Sequence, residues 1–324
     1  MTLDAAILSA LRASDWSSGA DLSTRLGVTR AAIWARIEEL RRLGYQIEAS
    51  PHRGYRLLAT PDRLHADDLL ARLGLVRVIG REIRVFQETA STSDLLERLA
   101  RDGVPEGLVL FAETQTRGRG RLGRNWVSPP GKGLWFSVLL RPPLRPQAAT
   151  RLTVAAAVAI IRAIRTQLPI VPEIKWPNDI MIQGRKIAGV LTELTGELDS
   201  IRHVTLGVGV NVNLEAADFP ATVAPTATSL RLALGRTVDR PALAAALLRE
   251  LDEAYAAILE DRFVALANEW SDACFTLGRP VTVTAGQRRV AGRAEALDDE
   301  GALLVRTEYG HLERVVGGDV TLEK

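Results

Sequence analysis

The chain has 324 residues, enough for two or three domains, because a single hydrophobic core stops growing at roughly 250–300 residues. Apolar residues make up 47% and charged residues 25% of the chain, a balance that excludes a disordered protein and a fibrous repeat. Lysine and arginine total 41 against 39 acidic residues, so the net charge of +2 identifies no partner.

The only cysteine, Cys274, leaves no intramolecular disulfide and no cysteine-rich zinc site to be built from this chain, which favours a reducing compartment. Residues 1–12 carry Asp4 before a short apolar run and show no basic leader. No stretch reaches the roughly 18 apolar residues of a membrane span. The sequence therefore predicts a cytoplasmic protein.

Three short amphipathic helices are predicted over residues 5–12, 19–26 and 30–43, followed by a hairpin with strands at 46–49 and 55–58. Ser18 is placed to cap the second helix and Gly27 to end it, and the Thr29 hydroxyl can accept from the free amides of the third. The spacing of Ile33 and Ile37 defines the buried face of the third helix. This order of elements is typical of a winged helix-turn-helix DNA-binding domain over residues 1–61.

The DNA-facing side of this domain follows from the same pattern. A recognition helix uses its first turns in the major groove, and the hairpin reaches the DNA backbone. The residues that this places at DNA are Thr29, Arg30, Ala31, Trp34, Arg53 and Arg56. The charge is weaker evidence, with 8 basic and 6 acidic residues among residues 1–61. Two alternatives stay open: Trp34 packs against the hairpin, or the winged helix contacts only protein.

Beyond residues 60–62, where Pro61 stops regular pairing, the pattern changes to a mixed α/β domain over residues 62–275. Strands are predicted over 108–112, 134–140 and 204–211, and helices over 93–102, 151–167 and 241–270. Over residues 276–324, short segments at 281–284, 290–297, 303–307 and 312–316 predict a small SH3-like β-barrel. The expected fold class is α+β with several domains.

The most unusual segment runs from Arg117 to Arg124 and holds four arginines among three glycines with no acidic residue. Glycines let backbone amides approach a ligand closely, and guanidinium groups pair bidentately with phosphate or carboxylate. We expect this arginine–glycine loop to bind an anion. An exposed basic turn is the alternative interpretation.

Gly118, Gly120 and Gly123 also match the Gly-x-Gly-x-x-Gly spacing of dinucleotide-binding proteins and kinases. That motif must join a strand to a helix, whereas Pro129 and Pro130 follow here within a stretch that cannot start a helix. The other kinase motifs and a Walker A sequence are absent from the sequence. The spacing is therefore interpreted as a coincidence.

A second polar segment, residues 175–179, reads Lys-Trp-Pro-Asn-Asp, and residues 184–190 read Gly-Arg-Lys-Ile-Ala-Gly-Val. Proline and turn residues place a lysine, an amide and a carboxylate in one compact loop. Lys186 then enters an apolar strand as a point charge that can follow an anionic reaction centre. Asp179 is placed to orient Lys186 or to hold Mg²⁺. A solvated turn before a strand is the alternative.

Together, the Arg-Gly-Arg-Gly-Arg loop, Lys-Trp-Pro-Asn-Asp and Arg-Lys-Ile-Ala-Gly-Val resemble, in order and spacing, the signatures of bacterial bifunctional biotin–protein ligases and biotin-operon repressors. The resemblance extends from the helix-turn-helix to the terminal barrel. Lipoate ligases share the central fold but use a different glycine-rich motif, which is not found here. The resemblance implies formation of biotinyl-5′-AMP from biotin and ATP with Mg²⁺, and transfer of biotin to a lysine of the biotin carboxyl carrier protein of acetyl-CoA carboxylase. It also implies repression at operator DNA by a ligand-promoted homodimer.

The resemblance further implies roles for individual residues. The biotin-binding residues are Ser91, Thr92, Ser93, Gln115, Arg119, Gly120, Arg121 and Lys186. The nucleotide-binding residues are Arg121, Arg124, Trp126, Lys175, Asn178 and Asn211, with Trp126 stacking on adenine. The catalytic residues are Lys186, Arg119 and Asp179, and Asp179 is also the metal ligand. The family has asparagine where this chain has Ser93.

The implied chemistry brings two anions together, and neither step needs an activated serine or cysteine nucleophile. A competing interpretation is a transcription regulator that binds biotin or its adenylate without transferring it. Lys186 together with the intact arginine–glycine loop favours the enzyme, because a sensor alone needs no adenylation chemistry.

Overall fold

The computed structural model describes residues 2–197 and 199–322. The amino-terminal part has three helices, α1 (Leu3–Ala13), α2 (Gly19–Leu26) and α3 (Arg30–Arg42), and an antiparallel hairpin of β1 (Gln46–Ser50) and β2 (Gly54–Ala59). The predicted caps are confirmed. The side chains of Ser18 and Thr29 accept hydrogen bonds from backbone amides in the first turns of α2 and α3, and Gly27 ends α2 with φ 67°.

These helices share a small core of their own. Ile33 and Ile37 on α3 are fully buried against Leu8 of α1 and Leu22 of α2, as the spacing of the two isoleucines predicts. The domain is joined to the rest of the chain through α1, which packs against the helix α4 (Ala66–Leu73).

The central part is one seven-stranded sheet with helices on both faces. After α4 its elements are β3 (Glu82–Thr89), α5 (Thr92–Arg101), β4 (Leu108–Gln115), β5 (Gly133–Leu140), α6 (Thr150–Gln167), β6 (Glu173–Lys175), β7 (Asp179–Ile182), β8 (Arg185–Gly196), β9 (Ile201–Asn211), α7 (Leu230–Leu234), α8 (Arg240–Leu259) and α9 (Phe263–Ala273). The strand order is β3-β4-β5-β9-β8-β7-β6, with only the β3–β4 pair parallel among the described strands.

The two faces of this sheet pack against different helices. Because side chains alternate along a strand, Phe136 and Val138 of β5 join the main core, where α6 and α8 pack. Leu139 of β5 points the other way and packs with α5. On this second face, Gly209 and Gly207 of β9 lie opposite Trp135 and Ser137 of β5, so part of the sheet there carries no side chain and remains open.

The segment predicted as one helix over 241–270 is two helices, so that prediction was wrong in this respect. Asp261 lies between α8 and α9 with φ 53°, and the amide of Arg262 donates to the carbonyl of Ala257 at 2.8 Å, which closes the end of α8. Phe263, the first residue of α9, is 3% exposed. Neither a glycine nor a proline marks this break in the sequence.

The carboxy-terminal part is a five-stranded antiparallel sheet of β10 (Pro280–Ala285), β11 (Arg288–Leu297), β12 (Leu303–Arg306), β13 (Leu312–Val315) and β14 (Asp319–Leu322). Its order is β13-β12-β11-β10-β14, and within the described residues no pairing joins the two outer strands into a closed barrel. The last strand, β14, was not predicted from the sequence.

One helical stretch, Pro146–Gln167, is long and apolar enough to cross a membrane by length and composition. In the structure 72% of its most apolar window is buried inside the central domain. It is therefore the core helix of that domain.

Candidate active site

A cleft of about 530 Å³ lies over the open part of the central sheet. It is bounded by the start of α5, the arginine–glycine loop, the turn between β6 and β7, the strands β8 and β9, and β14 of the carboxy-terminal sheet. Every residue expected from the sequence to bind biotin or nucleotide, or to act in catalysis, lines this cleft. The positions were separated by up to 120 residues in the chain, from Ser91 to Asn211.

One end of the cleft is a network of small hydroxyl groups at the start of α5. Ser91 caps the helix, and the backbone amide of Thr92 donates to the Gln115 side-chain oxygen at 2.8 Å. The hydroxyls of Thr92 and Ser93 lie 2.8 and 3.0 Å from that of Ser137, which is fully buried on β5. The network holds these hydroxyls in fixed positions, from which they can accept from or donate to polar groups of a ligand.

The floor of the cleft is made of glycines on paired strands. Gly209 on β9 lies opposite Gly189 on β8, and Gly207 lies opposite Leu191. A Cβ atom added at Gly209 would stand 2.5 Å from Cε2 of Trp126, and one at Gly207 would stand 2.9 Å from the Ser93 hydroxyl. The missing side chains thus make room for the indole of Trp126, which lies directly on the sheet.

Trp126 is held between two other side chains. Its ring centroid is 6.3 Å from that of Trp135 at an angle of 65°, and the Lys186 ammonium lies 5.1 Å from the ring centre. The ammonium of Lys186 is also 2.6 Å from Oδ1 of Asp179. Asp179 therefore orients Lys186, which was one of its two predicted roles. The indole face and the lysine charge are presented to the same part of the cleft.

The arginine–glycine loop is tied down by each of its last three arginines. Arg119 makes a bidentate pair with Glu193, both distances being 2.7 Å, and lies 2.9 Å from Asp94. Its side chain is 39% exposed. The Arg119 guanidinium, which was expected to face biotin, is therefore paired with these carboxylates on β8 and α5. Arg119 still lines the cleft.

Arg121 and Arg124 reach the carboxy-terminal sheet. Arg121 donates to the side-chain oxygen of Asn178 at 3.0 Å and to the carbonyl of Gly318 at 3.4 Å. Burial lowers the pKa of the Arg121 guanidinium, and the nearby carboxylates of Asp179 and Asp319 oppose that shift. Arg124 pairs with Asp319. The loop therefore closes the cleft against the terminal domain, a contact that the sequence did not predict.

The two asparagines expected at the nucleotide are also parts of the framework. The amide nitrogen of Asn178 donates to the carbonyl of Val190 at 2.7 Å, and that of Asn211 donates to the carbonyl of Thr228 at 3.0 Å. The exposed fractions of Asn178 and Asn211 are 9% and 6%. Lys175 stands at the end of β6 and lines the cleft.

Several residues at the cleft were not predicted from the sequence. They are Gly189, Gly207 and Gly209, an apolar wall of Phe219, Val223 and Ala227, and Gly318 and Asp319 at the terminal sheet. Ser137, which lies behind the lining and contacts the hydroxyls of Thr92 and Ser93, was not predicted either. The glycines at 207 and 209 could have been found, because two glycines with a spacing of two residues within an apolar strand leave one face bare. The wall and the terminal-sheet residues carry no comparable signal.

The surface expected at DNA is exposed. Thr29 caps α3, and Arg30 and Ala31 are its first residues; all three are exposed. Trp34 is 58% exposed, so the alternative in which Trp34 packs against the hairpin was wrong. Arg53 and Arg56 lie 5.7 and 5.9 Å from the ring centre of Trp16. Arg56 also forms an ion pair with Asp15 at 3.0 Å, and both arginines lie at the surface of the domain.

Comparison with known proteins agrees with this layout. Residues 5–56 match an HTH domain, residues 85–211 the Biotin/lipoate A/B protein ligase family, and residues 276–322 the Biotin protein ligase C terminal domain. The bifunctional ligase/repressor BirA of Bacillus spizizenii is 36% identical over 310 residues, which cover 95% of this chain and 94% of that protein. The biotin–[acetyl-CoA-carboxylase] ligase of Mycobacterium tuberculosis is 37% identical over 249 residues, covering 74% of this chain and 88% of that protein. The biotin protein ligase of Aquifex aeolicus, solved in complex with biotin and ATP, has 30% identity and a TM-score of 0.64, covering 75% of this chain and 99% of that one.

Proposed function

This chain belongs to the family of bifunctional biotin ligases and repressors, and on that premise we propose how its cleft and its amino-terminal domain carry out the two activities. In the first step a carboxylate oxygen of biotin attacks the α-phosphate of ATP, giving biotinyl-5′-AMP and pyrophosphate. In the second, the amine of an acceptor lysine attacks the mixed anhydride, forming an amide and releasing AMP. The observation that supports this best is the convergence of all the expected residues on one cleft.

The hydroxyl network at the start of α5 holds the ring end of biotin. Ser91, Thr92, Ser93 and Gln115 supply donors and acceptors there, and Ser137 fixes two of the hydroxyls from below. Because a buried urea group must have its hydrogen bonds satisfied, this is the part of the cleft that distinguishes biotin from a plain fatty acid. Gly120 lets the arginine–glycine loop pass close over the bound molecule.

The reacting ends meet at Lys186. Its ammonium, oriented by Asp179 at 2.6 Å, neutralises the biotin carboxylate and then the charge that develops at the phosphate. Arg121 adds a second positive charge from the loop, where partial burial strengthens its interaction with anions. Bringing two anions together in a site that excludes water accounts for most of what the protein must do in this step.

The nucleotide lies toward Trp126. Its indole, lying on Gly189 and Gly209, offers a flat face on which adenine can stack. Arg124 and Lys175 contribute charge to the phosphates. The amide nitrogens of Asn178 and Asn211 donate to backbone carbonyls, and the amide oxygen of Asn178 accepts from Arg121. Both asparagines therefore contribute to nucleotide binding through the shape of the pocket.

Arg119 exchanges partners during the reaction. Its guanidinium is held by Glu193 and Asp94 here, and this pairing keeps the loop close to the sheet. Exposed ion pairs of this kind contribute little, about 0–1 kcal/mol, so an anionic ligand can compete for the arginine. Arg119 therefore covers biotin and its adenylate as the loop tightens.

Mg²⁺ fits the residues present. The ion needs only one or two carboxylates beside the phosphate oxygens of a nucleotide, and it retains several waters. Asp179 faces the cleft and uses Oδ1 to bind Lys186. When bound, the metal would withdraw charge from the triphosphate, and Asp179 is the residue that would hold it.

The acceptor is the biotin carboxyl carrier protein of acetyl-CoA carboxylase. Support comes from the name of the Mycobacterium tuberculosis relative, a biotin–[acetyl-CoA-carboxylase] ligase. A carrier domain in the cell interior also fits a chain with one buried, reduced cysteine, Cys274, and we place the protein in the cytoplasm.

We propose domain boundaries that separate DNA binding from catalysis: a winged helix-turn-helix over residues 1–61, the ligase domain over 62–275 and an SH3-like barrel over 276–324. Thr29, Arg30, Ala31 and Trp34 read the major groove, and the hairpin of β1 and β2 is the wing, with Arg53 and Arg56 at the DNA backbone.

A weakly basic single domain binds DNA poorly, so two copies must act together. We infer that biotinyl-5′-AMP promotes a homodimer, whose two recognition helices reach two operator half-sites. Operator binding measured by fluorescence anisotropy should strengthen when biotinyl-5′-AMP is added, and sedimentation should show the dimer. Equal affinities with and without the adenylate, and an unchanged sedimentation coefficient, would contradict this part of the proposal.

The ligase function is tested by incubating the protein with labelled biotin, ATP, Mg²⁺ and a carrier domain. Label should appear on the carrier lysine. The variant Lys132→Ala is a matched control, because that lysine pairs with Asp218 outside the cleft and its loss should leave transfer unchanged. Binding of biotin without any labelled carrier would instead favour the sensor that only binds the ligand.

A further inference from the structure

A second pocket, of about 410 Å³, lies where the amino-terminal domain meets the ligase domain, away from the cleft. It is a shallow, open depression bordered by α1, α4, the last residue of α6 and α8. Its walls are small side chains: Ala13, Ala71, Ala242, Ala245 and Ala246. Because methyl groups take up little room, the space between the helices stays open at this junction.

Three arginines, Arg12, Arg72 and Arg249, face this junction pocket. Arg12 and Arg72 bind opposite oxygens of the Asp68 carboxylate, which is 1% exposed. Arg249 donates to the main-chain carbonyl of Arg72 at 3.0 Å, which places a third guanidinium beside the other two. Asp239 lies 3.9 Å from Arg72. The pocket therefore holds more positive than negative charge.

One donor in this group has no acceptor. Within the part of the chain that the structure describes, Nη1 of Arg12 is buried and makes no hydrogen bond. A buried charged donor without an acceptor is costly, so such a group is normally paired with an oxygen. Ser9 and Gln167 line the same pocket and can donate to the oxygens of a ligand there, and a rotation of the Arg12 side chain, which is 21% exposed, would bring Nη1 to those oxygens.

We propose that the junction pocket binds a small phosphoryl oxyanion, as orthophosphate or as the pyrophosphate released by adenylation. Guanidinium groups match the oxygens of such an anion in charge and in geometry. The site would also connect the two domains, since Arg12 belongs to α1, Arg72 and Arg249 belong to the ligase domain, and Arg72 donates to the Thr60 hydroxyl in the linker at 3.1 Å. The anion thus joins three segments that meet at the base of the DNA-binding domain.

Calorimetric titration of the full chain with sodium orthophosphate, at constant ionic strength maintained with chloride, tests the site. Arg249→Gln is the informative variant, because this side chain is exposed and its loss leaves the Asp68 pairing intact. Phosphate affinity should fall by about tenfold or more, the usual effect of removing one charged hydrogen bond. Arg165→Gln removes the same charge from the exposed surface of α6 outside the pocket, and its affinity should stay within about twofold of wild type.

The ligase rate of Arg249→Gln should remain at the wild-type level, which shows that the variant is folded and that the cleft is unaffected. A parallel titration of the wild type and Arg249→Gln with pyrophosphate distinguishes the two sources, because binding in the cleft is the same in both proteins. A larger loss of affinity for pyrophosphate than for orthophosphate in the variant identifies the product as the ligand, and the reverse identifies orthophosphate. Absence of phosphate binding by the wild type would overturn the proposal. Equal losses of phosphate affinity in Arg249→Gln and Arg165→Gln would also overturn the proposal, because they would show a general effect of the protein's charge.

Discussion

The contact between Gly209 and Trp126 predicts a defined loss of nucleotide binding in Gly209→Ala. A methyl carbon at this position would stand 2.5 Å from Cε2 of Trp126 and 2.7 Å from its Cζ2 and Nε1. The indole is rigid and is also packed against Trp135, so it cannot give way by rotating a flexible end. The ring must therefore lift from the sheet into the space that we assign to adenine.

The magnitude follows from the cost of overpacking. Forcing an extra methyl group into a packed site costs about 1–3 kcal/mol, which corresponds to roughly 5- to 150-fold in a binding constant. We expect the Michaelis constant for ATP to rise within that range in an assay of biotin-dependent pyrophosphate release. Gly189→Ala is the graded comparison, because its methyl would lie 3.0 Å from the ring edge and 3.1 Å from the flexible end of Lys186. The Michaelis constant for ATP should rise less in Gly189→Ala than in Gly209→Ala.

A double-mutant cycle separates the clash from a general loss of stability. If Trp126 is the obstacle, the destabilisation caused by Gly209→Ala in urea unfolding should largely vanish in a Trp126→Ala background. A folded Gly209→Ala enzyme with the wild-type constant for ATP would refute the assignment of the nucleotide to this face of the cleft. Persistence of the full destabilisation without the indole would refute the contact itself.

Three further changes have expected outcomes. Lys186→Ala should reduce pyrophosphate release by about 10²–10³-fold with an unchanged thermal unfolding midpoint, because the charge acts at the reacting groups, and a wild-type rate would exclude this role. Arg121→Gly should let biotinyl-5′-AMP escape, since the contacts of the loop with Asn178 and Gly318 are lost; biotin labelling of bystander proteins should rise, and unchanged selectivity would count against a covering role. His65→Gln should flatten the dependence of stability on pH, because burial lowers the pKa of His65 in the folded protein and its Nε2 is buried without a partner among the described residues. The wild type should have its full stability above the ordinary histidine pKa of about 6.5 and lose part of it as the pH falls, and equal slopes for both proteins in urea unfolding between pH 7 and pH 5 would contradict this.

Local chemistry is the part of this protein that its sequence determined. Ser18, Gly27 and Thr29 act on backbone groups within one turn of themselves, so their capping roles could be predicted from neighbouring residues alone. The residue types and spacing of the arginine–glycine loop and Lys186 likewise predict an anionic ligand. The family resemblance then added which residues would share a site, and all of them line one cleft.

The tertiary structure decided how those side chains are engaged. Arg119 meets Glu193, 74 residues away, because the pairing of β8 with β9 sets which face of β8 carries that carboxylate. Trp126 lies flat on Gly209 for the same reason, and Ser137 reaches the hydroxyls of α5 only because β5 crosses beneath that helix. A one-residue shift in the pairing of β8 or β5 would turn the side chain of Glu193 or Ser137 to the other face, and nothing local in the sequence encodes that register.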